Sequence, residues 1–451
     1  MKSAGNLPSS AISGQRLADI VTRPALLLTL CVLAIFRAAA LLTFPGRAYH
    51  DDFDVFYSAA IAYRQGLNPY TFDLTPIGER LGFHLGLLRH STDTPTALLF
   101  FLPFSFAAVP SAHSIWIAVN AAAFAAALIL LLAPQYSGLD TRAALVIAAF
   151  AVLYAPTTEH FLSSQRQTVI LLLLVLMMRA LERRREVAAG LLLGLAAAYR
   201  AFPILMAGYF VIRRQWRVLI YMACGLALTG AATVAMLGLP ICISYASGAR
   251  FAVAASWQDP ANVSLRGFLH RSFFYAGGPA SGANLQILHF VTLISAEIAI
   301  LALTAWPTYQ RRSRPDLDRP TYSLWVAASL VLSPLSWIHY MILLLIPFAE
   351  IAGAAKGHEC SSRAAWAAVA SYLMISVSRL LRRPVVSAVL WNQGVKYLAE
   401  GSTLALMLGF FAALWLATDT VGSARSENPE CAHLATDPGI LSASRRVAAE
   451  S

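Results

Sequence analysis

Long apolar runs recur along most of this 451-residue chain, and they limit what the chain can fold into. The runs are rich in Leu and Ala and show no two-residue alternation, so they predict helices and not the strands of a barrel. Charged residues make up 13% of the chain, whereas soluble domains typically contain about 25%, so lipid is the expected solvent. The sequence therefore predicts an all-α, polytopic transmembrane helix bundle.

The apolar runs predict about twelve membrane spans, within limits of about eleven and thirteen, because a straight span needs roughly 20 apolar residues. Several runs are shorter, and short spans are tolerated where helices break beside a cavity. Segment 95–109 fits as a shallow or re-entrant piece. The first run is too long for the core of a signal peptide, so we expect it to be retained. The predicted spans are 24–44, 113–133, 142–156, 164–181, 187–200, 202–212, 216–238, 285–307, 320–333, 340–355, 364–380 and 398–418.

Arginine clusters in three short loops, 183–185, 213–217 and 311–314, and this pattern predicts that these loops are cytoplasmic. Topology thus accounts for the net charge of +11, and nucleic-acid binding is not expected. With the basic loops on one side, residues 45–94 and 239–284 become non-cytoplasmic loops.

The chain is expected to form one transmembrane domain over residues 24–420. A cytoplasmic segment, 1–23, precedes it, and a polar tail, 421–451, is expected to be disordered and cytoplasmic. The predicted location is the inner or plasma membrane, crossed many times.

Three carboxylates, Asp51, Asp52 and Asp54, directly follow the first apolar run. The spacing of apolar residues from His50 to Arg64 predicts an amphipathic helix on the membrane surface. One acid is enough to cap a helix start, and three exceed that need. Charged groups at a membrane edge commonly have a function, so we expect a functional carboxylate here, although the residues alone do not distinguish the three.

Breaks between apolar runs carry further polar residues. Gln165 and Gln167 open a span, where amides bind sugar hydroxyls or cap the helix. Arg200 lies at the bend of a predicted hairpin, 187–212. Its planar fork suits phosphate, and the alternative is snorkelling to a lipid headgroup. The run 93–96 (DTPT) is predicted to be a simple turn into a helix.

The two later polar segments are expected on the same side as the acids. Asn262 begins one segment, and its Arg266 and Arg271 oppose the positive-inside trend, which an anionic ligand or ordinary loop solvation would explain. Trp337 and His339 lie where a span re-enters the membrane. They belong to an aromatic belt, or His339 is an acid, a base or a phosphate ligand.

Seven short motifs, in their order along the chain, resemble those of glycosyltransferase family 87. The resemblance extends over roughly residues 24–380, and four positions depart from the family pattern. Ser164 replaces a glycine, Gln167 an asparagine and Tyr340 a second histidine, while Arg200 lies nearest to a basic position. The motifs are DFDVFY at 52–57, GLNPY at 66–70, SQRQ at 164–167, AGL at 189–191, YRAFP at 199–203, NVSLRG at 262–267 and SPLSWIHY at 333–340.

The resemblance implies a polytopic GT-C enzyme that transfers mannose, or another hexose or pentose, from a polyprenyl-phosphate donor. The acceptor would be a lipid-linked or glycan hydroxyl on the non-cytoplasmic face, with Asp52 as general base and inversion at the sugar. No cofactor is expected, and a divalent metal is left open. The alternative is a secondary transporter or lipid flippase, for which Glu297 is the main interior acid. The residues expected at the site are Asp52 and His339 for catalysis, Arg200, Arg266 and Arg271 for the donor phosphate, and Asp54, Tyr57, Gln165, Gln167, Asn262 and Trp337 for substrate binding.

Overall fold

The structure is a bundle of α-helices, which confirms the predicted fold class. The computed structural model describes residues 24–43, 51–85, 89–259, 261–274, 283–314, 316–356, 360–381 and 400–426. Within these ranges, the only β interaction is an isolated antiparallel bridge between Asn262 and Trp337. Three 3-10 segments interrupt the helices: Leu102–Phe106, Phe202–Met206 and Ile338–Leu344. The helices are α1 (Pro24–Thr43), α2 (Asp51–Arg64), α3 (Thr75–Arg80), α4 (Pro95–Phe101), α5 (Val109–Leu132), α6 (Pro134–Ser137), α7 (Thr141–Leu153), α8 (Ala155–Leu162), α9 (Gln167–Glu182), α10 (Glu186–Tyr199), α11 (Ala207–Ile212), α12 (Trp216–Leu237), α13 (Leu239–Ala255), α14 (Leu265–Phe274), α15 (Ala283–Gln310), α16 (Arg319–Leu332), α17 (Leu345–Lys356), α18 (Ser362–Leu381) and α19 (Gly401–Ser426).

Six stretches of helix in the described ranges are long and apolar enough to cross a membrane, and the pair α7–α8, bent by 49°, is a seventh candidate. The predicted spans correspond to helices throughout, but several of these helices are shorter than 18 residues. The count of twelve spans is therefore not confirmed. The six candidate spans are Pro24–Thr43, Val109–Leu132, Trp216–Leu237, Asn284–Gln310, Ile338–Lys356 and Gly401–Asp419.

The predicted hairpin 187–212 is broken where the sequence indicated. Helix α10 ends at Tyr199, and Arg200 is extended, with φ −149° and ψ 128°. The chain then continues as the 3-10 segment Phe202–Met206, in which Pro203 restricts the residue before it. The break leaves the guanidinium of Arg200 at a helix end.

Helix α2 occupies the position predicted for a surface amphipathic helix, but it is buried on all sides. Every residue from Phe53 to Ala60 is at most 8% exposed. The Phe53 ring packs edge-on against Phe101, at 5.6 Å, and against His113, at 4.7 Å. The expectation of one-sided burial is wrong, because other parts of the bundle surround these residues, including the carboxylate of Asp54, which is 5% exposed.

The segment predicted as a long loop, 239–284, contains helices α13 and α14. At the other end of the domain, α19 continues to Ser426 and so extends into the segment predicted to be disordered. The rest of that segment, 427–451, and the predicted N-terminal segment, 1–23, lie outside the described residues.

The three arginine-rich loops meet at one end of the bundle, which we call the basic end. Arg213 donates hydrogen bonds to the carbonyl oxygens of Arg311, Arg314 and Asp316, at 3.2, 2.6 and 2.6 Å. Arg184, from the first loop, pairs with Asp316 at 2.7 Å. The basic end thus unites loops that are far apart in sequence, in agreement with their predicted common side.

The polar breaks lie at the opposite end of the same helices. Helix α9 runs from Gln167 to Glu182, and its 16 residues span about 24 Å at the rise of an α-helix. Helix α10 returns from Glu186 to Tyr199. Residues near Gln167 and Tyr199 are therefore about one helix length away from the basic end.

Candidate active site

One carboxylate and two guanidiniums form a buried group at the end opposite the basic loops. Oδ1 of Asp93 accepts a hydrogen bond from Arg166 and another, 3.0 Å long, from Arg200. The side chains are 10%, 3% and 18% exposed, respectively. We call these three residues the charge cluster. It has one excess positive charge, and buried charges are costly unless paired, so it is a candidate anion site.

Helix ends position the charge cluster. The hydroxyl of Thr94 caps α4 by accepting from the Ala97 amide, and it donates to the Tyr199 carbonyl across 2.9 Å. Arg166 immediately precedes α9, and Arg200 immediately follows α10. The predicted turn into a helix at 93–96 is confirmed, and this turn also brings Asp93 between the two arginines.

Aromatic rings lie against both guanidiniums. The guanidinium carbon of Arg166 is 4.8 Å from the ring centre of Phe56 and 5.6 Å from that of Tyr199. That of Arg200 is 4.8 Å from the ring centre of Tyr340. Nε of Arg166 is buried without a hydrogen-bond partner among the described residues. The rings hold the guanidiniums in place by cation–π attraction, and a donor remains for a ligand.

Asp52 lies close enough to Arg166 and Arg200 to interact electrostatically with both. It is half-buried in the first turn of α2. Asp54 is 5% exposed, and the side chain of Asp51 is outside the described part of the chain. The structure brings Asp52 to the charge cluster, while its catalytic role remains a prediction.

His339 and Gln167 add buried polar groups beside the charge cluster. His339, in the 3-10 segment Ile338–Leu344, interacts electrostatically with Arg166, Arg200 and His160. Nε2 of His339 and both amide atoms of Gln167 have no hydrogen-bond partner among the residues described. An unsatisfied buried polar group costs about 1–3 kcal/mol, so these atoms are candidates to bind ligand hydroxyls.

The turn before α9 contains the first departure from the family pattern. Ser164 has φ 49°, in the left-handed region. Its hydroxyl lies 2.8 Å from Nε2 of His113, and its carbonyl accepts from the Trp116 indole at 2.7 Å. Gln165, the next residue, is 3% exposed, and its backbone amide donates to the His160 carbonyl at 2.9 Å. This turn carries Gln165 into the protein interior.

A polar network that the sequence analysis did not identify packs around His160. Thr168 donates to Oδ1 of Asn120 at 2.5 Å, and Nε2 of His160 lies 3.2 Å from the same oxygen. All three side chains are at most 1% exposed. The sequence signal was present, because Asn120 is a polar residue within an apolar span. Arg166 was also given no role, although it is a cation at a helix start on the side predicted to be non-cytoplasmic.

Asn262 holds two loops together. Its Oδ1 accepts from the amides of Ser264 and Ser336, both at 3.1 Å. Its Nδ2 donates to the carbonyls of Ser256, at 3.2 Å, and Pro334, at 3.3 Å. The backbone bridge to half-buried Trp337 extends this link. These contacts position the segment that carries His339, and substrate binding by Asn262 and Trp337 stays a prediction.

The other two predicted phosphate ligands are paired with glutamates. Arg266 makes a two-point contact with Glu297, at 2.6 and 3.0 Å. Arg271 makes a similar contact with Glu400, at 2.6 and 2.7 Å, and donates to three backbone carbonyls as well. The charge of Glu297, the acid named for the alternative of a transporter, is therefore neutralised by Arg266. Phosphate binding by Arg266 and Arg271 remains a prediction.

Two tyrosines complete the region. The Tyr57 hydroxyl donates to the Ala107 carbonyl at 2.7 Å, which anchors α2 to the neighbouring turn. Tyr70 lies in the loop after α2, where burial, reinforced by Tyr245, raises the pKa of its phenol well above the ordinary value, although Arg166 opposes the shift. Tyr70 is therefore a neutral phenol at the edge of the charge cluster, a residue that the sequence analysis did not single out.

One of three comparisons with known proteins, that with family models, places the chain in a family. A comparison with curated proteins gave no match. Among solved structures, ArnT from Cupriavidus metallidurans in the apo state is similar at 16% sequence identity, with a TM-score of 0.36, over 87% of this chain and 77% of that one. The family model of glycosyltransferase family 87 matches residues 92–334, which contain the charge cluster and are more than half of the chain. The chain belongs to glycosyltransferase family 87 and is a multi-pass membrane glycosyltransferase.

Proposed function

We propose that this enzyme transfers a sugar from a polyprenyl-phosphate donor to a hydroxyl of a glycolipid or glycan on the non-cytoplasmic face of the cell membrane. The observation that carries the proposal is the charge cluster: two buried arginines share one carboxylate, with Asp52 within electrostatic range of both. A phosphate leaving group and an acceptor hydroxyl require this combination, namely positive charge for one and a base for the other.

The two arginines are the proposed ligands of the donor phosphate. Guanidinium forks match phosphate geometry and stay charged when buried. Asp93 and the ionised Asp52 balance the two charges before transfer, and one positive charge is left to stabilise the departing phosphate once Asp52 has taken the acceptor proton. Since the site is buried, this stabilisation is stronger than it would be in water.

Asp52 is the proposed general base. The acceptor oxygen would attack the anomeric carbon and lose its proton to the Asp52 carboxylate, while the bond from that carbon to the phosphate oxygen breaks. A single displacement of this kind inverts the anomeric centre. The leaving group is already a phosphate, so a second carboxylate acting as acid is not needed, in contrast to glycoside hydrolysis.

The residues predicted to bind substrate are proposed to bind the sugar, and His339 is proposed to assist catalysis beside it. The partnerless amide atoms of Gln167 and Nε2 of His339 offer donors and acceptors for hydroxyls, and buried Gln165 adds another amide. Mannose, or another hexose or pentose, is the proposed sugar. The reaction as written uses no cofactor, and transfer assays with and without EDTA test a divalent-metal requirement.

The proposed orientation follows from the two ends of the bundle. The arginine-rich loops meet at the basic end, and such loops favour the cytoplasm. The charge cluster lies about one helix length away, so it would face the other side of the membrane. A donor with a polyprenyl tail can be presented on that side of the membrane, whereas nucleotide sugars stay in the cytoplasm.

Transfer from polyprenyl-phosphate-mannose tests the assignment of the base. We expect Asp52→Asn to lower kcat by on the order of 10²–10⁴, the usual contribution of general-base catalysis. Asp73→Asn, which alters an exposed acid of the next loop, is the matched control. Near-wild-type turnover by Asp52→Asn would remove Asp52 from the mechanism.

The phosphate role is tested by the donor KM. Arg200→Gln should raise it by about 10- to 100-fold, because a hydrogen bond to a charged group contributes about 1.5–3 kcal/mol. Arg183→Gln, at the basic end, should leave it unchanged. If Arg200→Gln altered only the acceptor KM, the arginine would belong to the acceptor site.

A further inference from the structure

The basic end of the bundle contains a crevice that the transfer reaction does not use. Its volume is about 340 Å³, within the range of small-ligand sites. Five arginines and a single acid, Glu186, are among its lining residues. The arginines are Arg213, Arg214, Arg217, Arg312 and Arg314.

We propose that this crevice binds the phosphate headgroup of an anionic membrane phospholipid. The site is distinct from the charge cluster, which lies about one helix length away. The proposal is independent of the sugar and the donor. It rests on charge, on an unused donor, on the position of the crevice relative to the spans, and on an adjoining, less polar crevice.

The charge of the crevice is largely uncompensated. Glu186 lies 3.5 Å from Arg217, and the nearby Asp316 pairs with Arg184. Arg214 and Arg314 have no ion pair within the described residues and are exposed. The positive-inside rule accounts for arginines in each loop, but it does not require the loops to gather around one crevice.

Arg213 holds the crevice in shape. It is 5% exposed and spans two loops through its bonds to the carbonyls of Arg311 and Arg314. Its Nε is buried with no hydrogen-bond partner among the residues described. A fixed guanidinium with an unused donor is a built feature, which scattered surface arginines would not supply.

The crevice lies at the level where spans leave the membrane. Trp216 lines it and begins the span Trp216–Leu237, and its side chain is 57% exposed. Near the end of α15, Trp306 and Tyr309 are also exposed, and the Arg312 guanidinium lies 3.7 Å from the ring centre of Tyr309. Exposed Trp and Tyr are typical of the headgroup region.

An adjoining crevice favours a lipid over a free anion. It has a volume of about 220 Å³, is lined by Leu181, Leu317 and Arg184, and shares Glu186 and Gln215 with the basic crevice. A phospholipid places its phosphate beside its glycerol and acyl ester groups. The basic crevice suits the phosphate, and its less polar neighbour suits the groups attached to it.

Native mass spectrometry of the full-length enzyme in detergent tests the site. Phosphatidylglycerol and phosphatidylcholine with the same acyl chains serve as probes. We expect preferential retention of phosphatidylglycerol, weakened on the order of tenfold in Arg214→Gln/Arg314→Gln, because each arginine near an anionic headgroup adds to the attraction. Arg183→Gln/Arg185→Gln removes the same charge from a neighbouring loop without altering the basic crevice, and it should retain the lipid.

Four outcomes would overturn the proposal. The first three are equal retention of both lipids, an equal loss in the control variant, and displacement of the lipid by inorganic phosphate at matched concentration, which would indicate a site for a soluble anion. Tighter binding of polyglutamate than of phosphatidylglycerol would also overturn it, in favour of an acidic protein partner.

Photo-crosslinking of the wild-type enzyme keeps the test valid if the double variant does not fold. A photoactivatable phosphatidylglycerol in vesicles of phosphatidylcholine should label peptides that contain residues 213–217 or 312–314. Labelling confined to other peptides would contradict the assignment.

Discussion

Nη1 of Arg200 lies 3.0 Å from Oδ1 of Asp93, and the same oxygen accepts a hydrogen bond from Arg166. One carboxylate therefore holds together two buried cations that come from different helix ends. The carboxylate of Asp93 offsets the repulsion between the two guanidiniums, and it orients both of them. It is thus a positioning residue for the proposed phosphate site.

Asp93→Asn is expected to destabilise the enzyme. Removing one partner of a buried ion pair typically costs about 3–5 kcal/mol, and here two guanidiniums would lose their shared counter-charge. Thermal unfolding in detergent measures the loss. Asp73→Asn should have little effect, since Asp73 and Arg89 form an exposed pair at 4.0 Å. Because Asp93→Asn leaves both guanidiniums without their shared counter-charge, polyprenyl phosphate should raise the melting temperature of this variant more than that of wild type. An equal rise in both would indicate that the arginines do not bind an anion there.

The ring of Tyr340 predicts a second, smaller effect on the donor. It lies 4.8 Å from the guanidinium of Arg200 and stacks on Phe202. Tyr340→Phe keeps the ring and should retain the donor KM. Tyr340→Leu loses a cation–π contact of about 0.5–2 kcal/mol, so the donor KM should rise from about twofold to 30-fold. Equal KM values for the two variants would show that the ring does not orient Arg200.

The apolar runs predicted the helices well, because each run is long and a helix satisfies the backbone hydrogen bonds of a single segment within lipid. The break at Arg200 followed from a proline, and the common side of the arginine loops followed from charge. The charge cluster could not be predicted, because Asp93 and Arg166 are brought together only by tertiary packing. The burial of α2 was missed for the same reason, since its neighbours are distant in sequence.

Two departures from the family pattern have a structural explanation. Ser164 stands where the resemblance led us to expect glycine, and it adopts φ 49°, a conformation that glycine reaches without strain. Tyr340 stands where the resemblance led us to expect a second histidine, and its ring covers Arg200. The first departure gives a direct test, because serine offers a hydrogen bond that glycine does not.

Ser164→Ala should destabilise the enzyme more than Ser164→Gly. Both variants lose the hydrogen bond to His113, at 2.8 Å, which leaves the histidine with one fewer partner. Only glycine also relieves the left-handed backbone, a difference of about 1–2 kcal/mol. The difference in melting temperature between the two variants measures this difference in stability. Equal melting temperatures would indicate that the backbone at this turn is not strained.

Arg271 and Arg200 should respond differently to substitution. Arg271 is 6% exposed and is held by Glu400 and by carbonyls that include that of Asn262. Arg271→Lys keeps the charge but loses the two-point contact, so we expect a stability loss of about 1.5–3 kcal/mol with a smaller change in donor KM for the folded fraction. A double-mutant cycle with Glu400→Gln isolates the pair. A large rise in donor KM at unchanged stability would instead support the predicted phosphate role.

Two close helix contacts, one at Gly190 in the AGL motif and one at Gly194 a turn later, give the last prediction. A methyl group on Gly194 would lie 2.5 Å from the carbonyl oxygen of Met222, and one on Gly190 2.5 Å from that of Val218. These glycines let α10 approach the backbone of α12, as small residues do between membrane helices.

Gly194→Ala should therefore cost about 1–3 kcal/mol through overpacking. Gly230→Ala, on α12 with no atom within 4 Å of the added carbon, should leave the melting temperature unchanged or raise it. Because α10 carries Arg200 at its end, Gly194→Ala should also raise the donor KM, and an unaltered KM would show that the site does not depend on this contact.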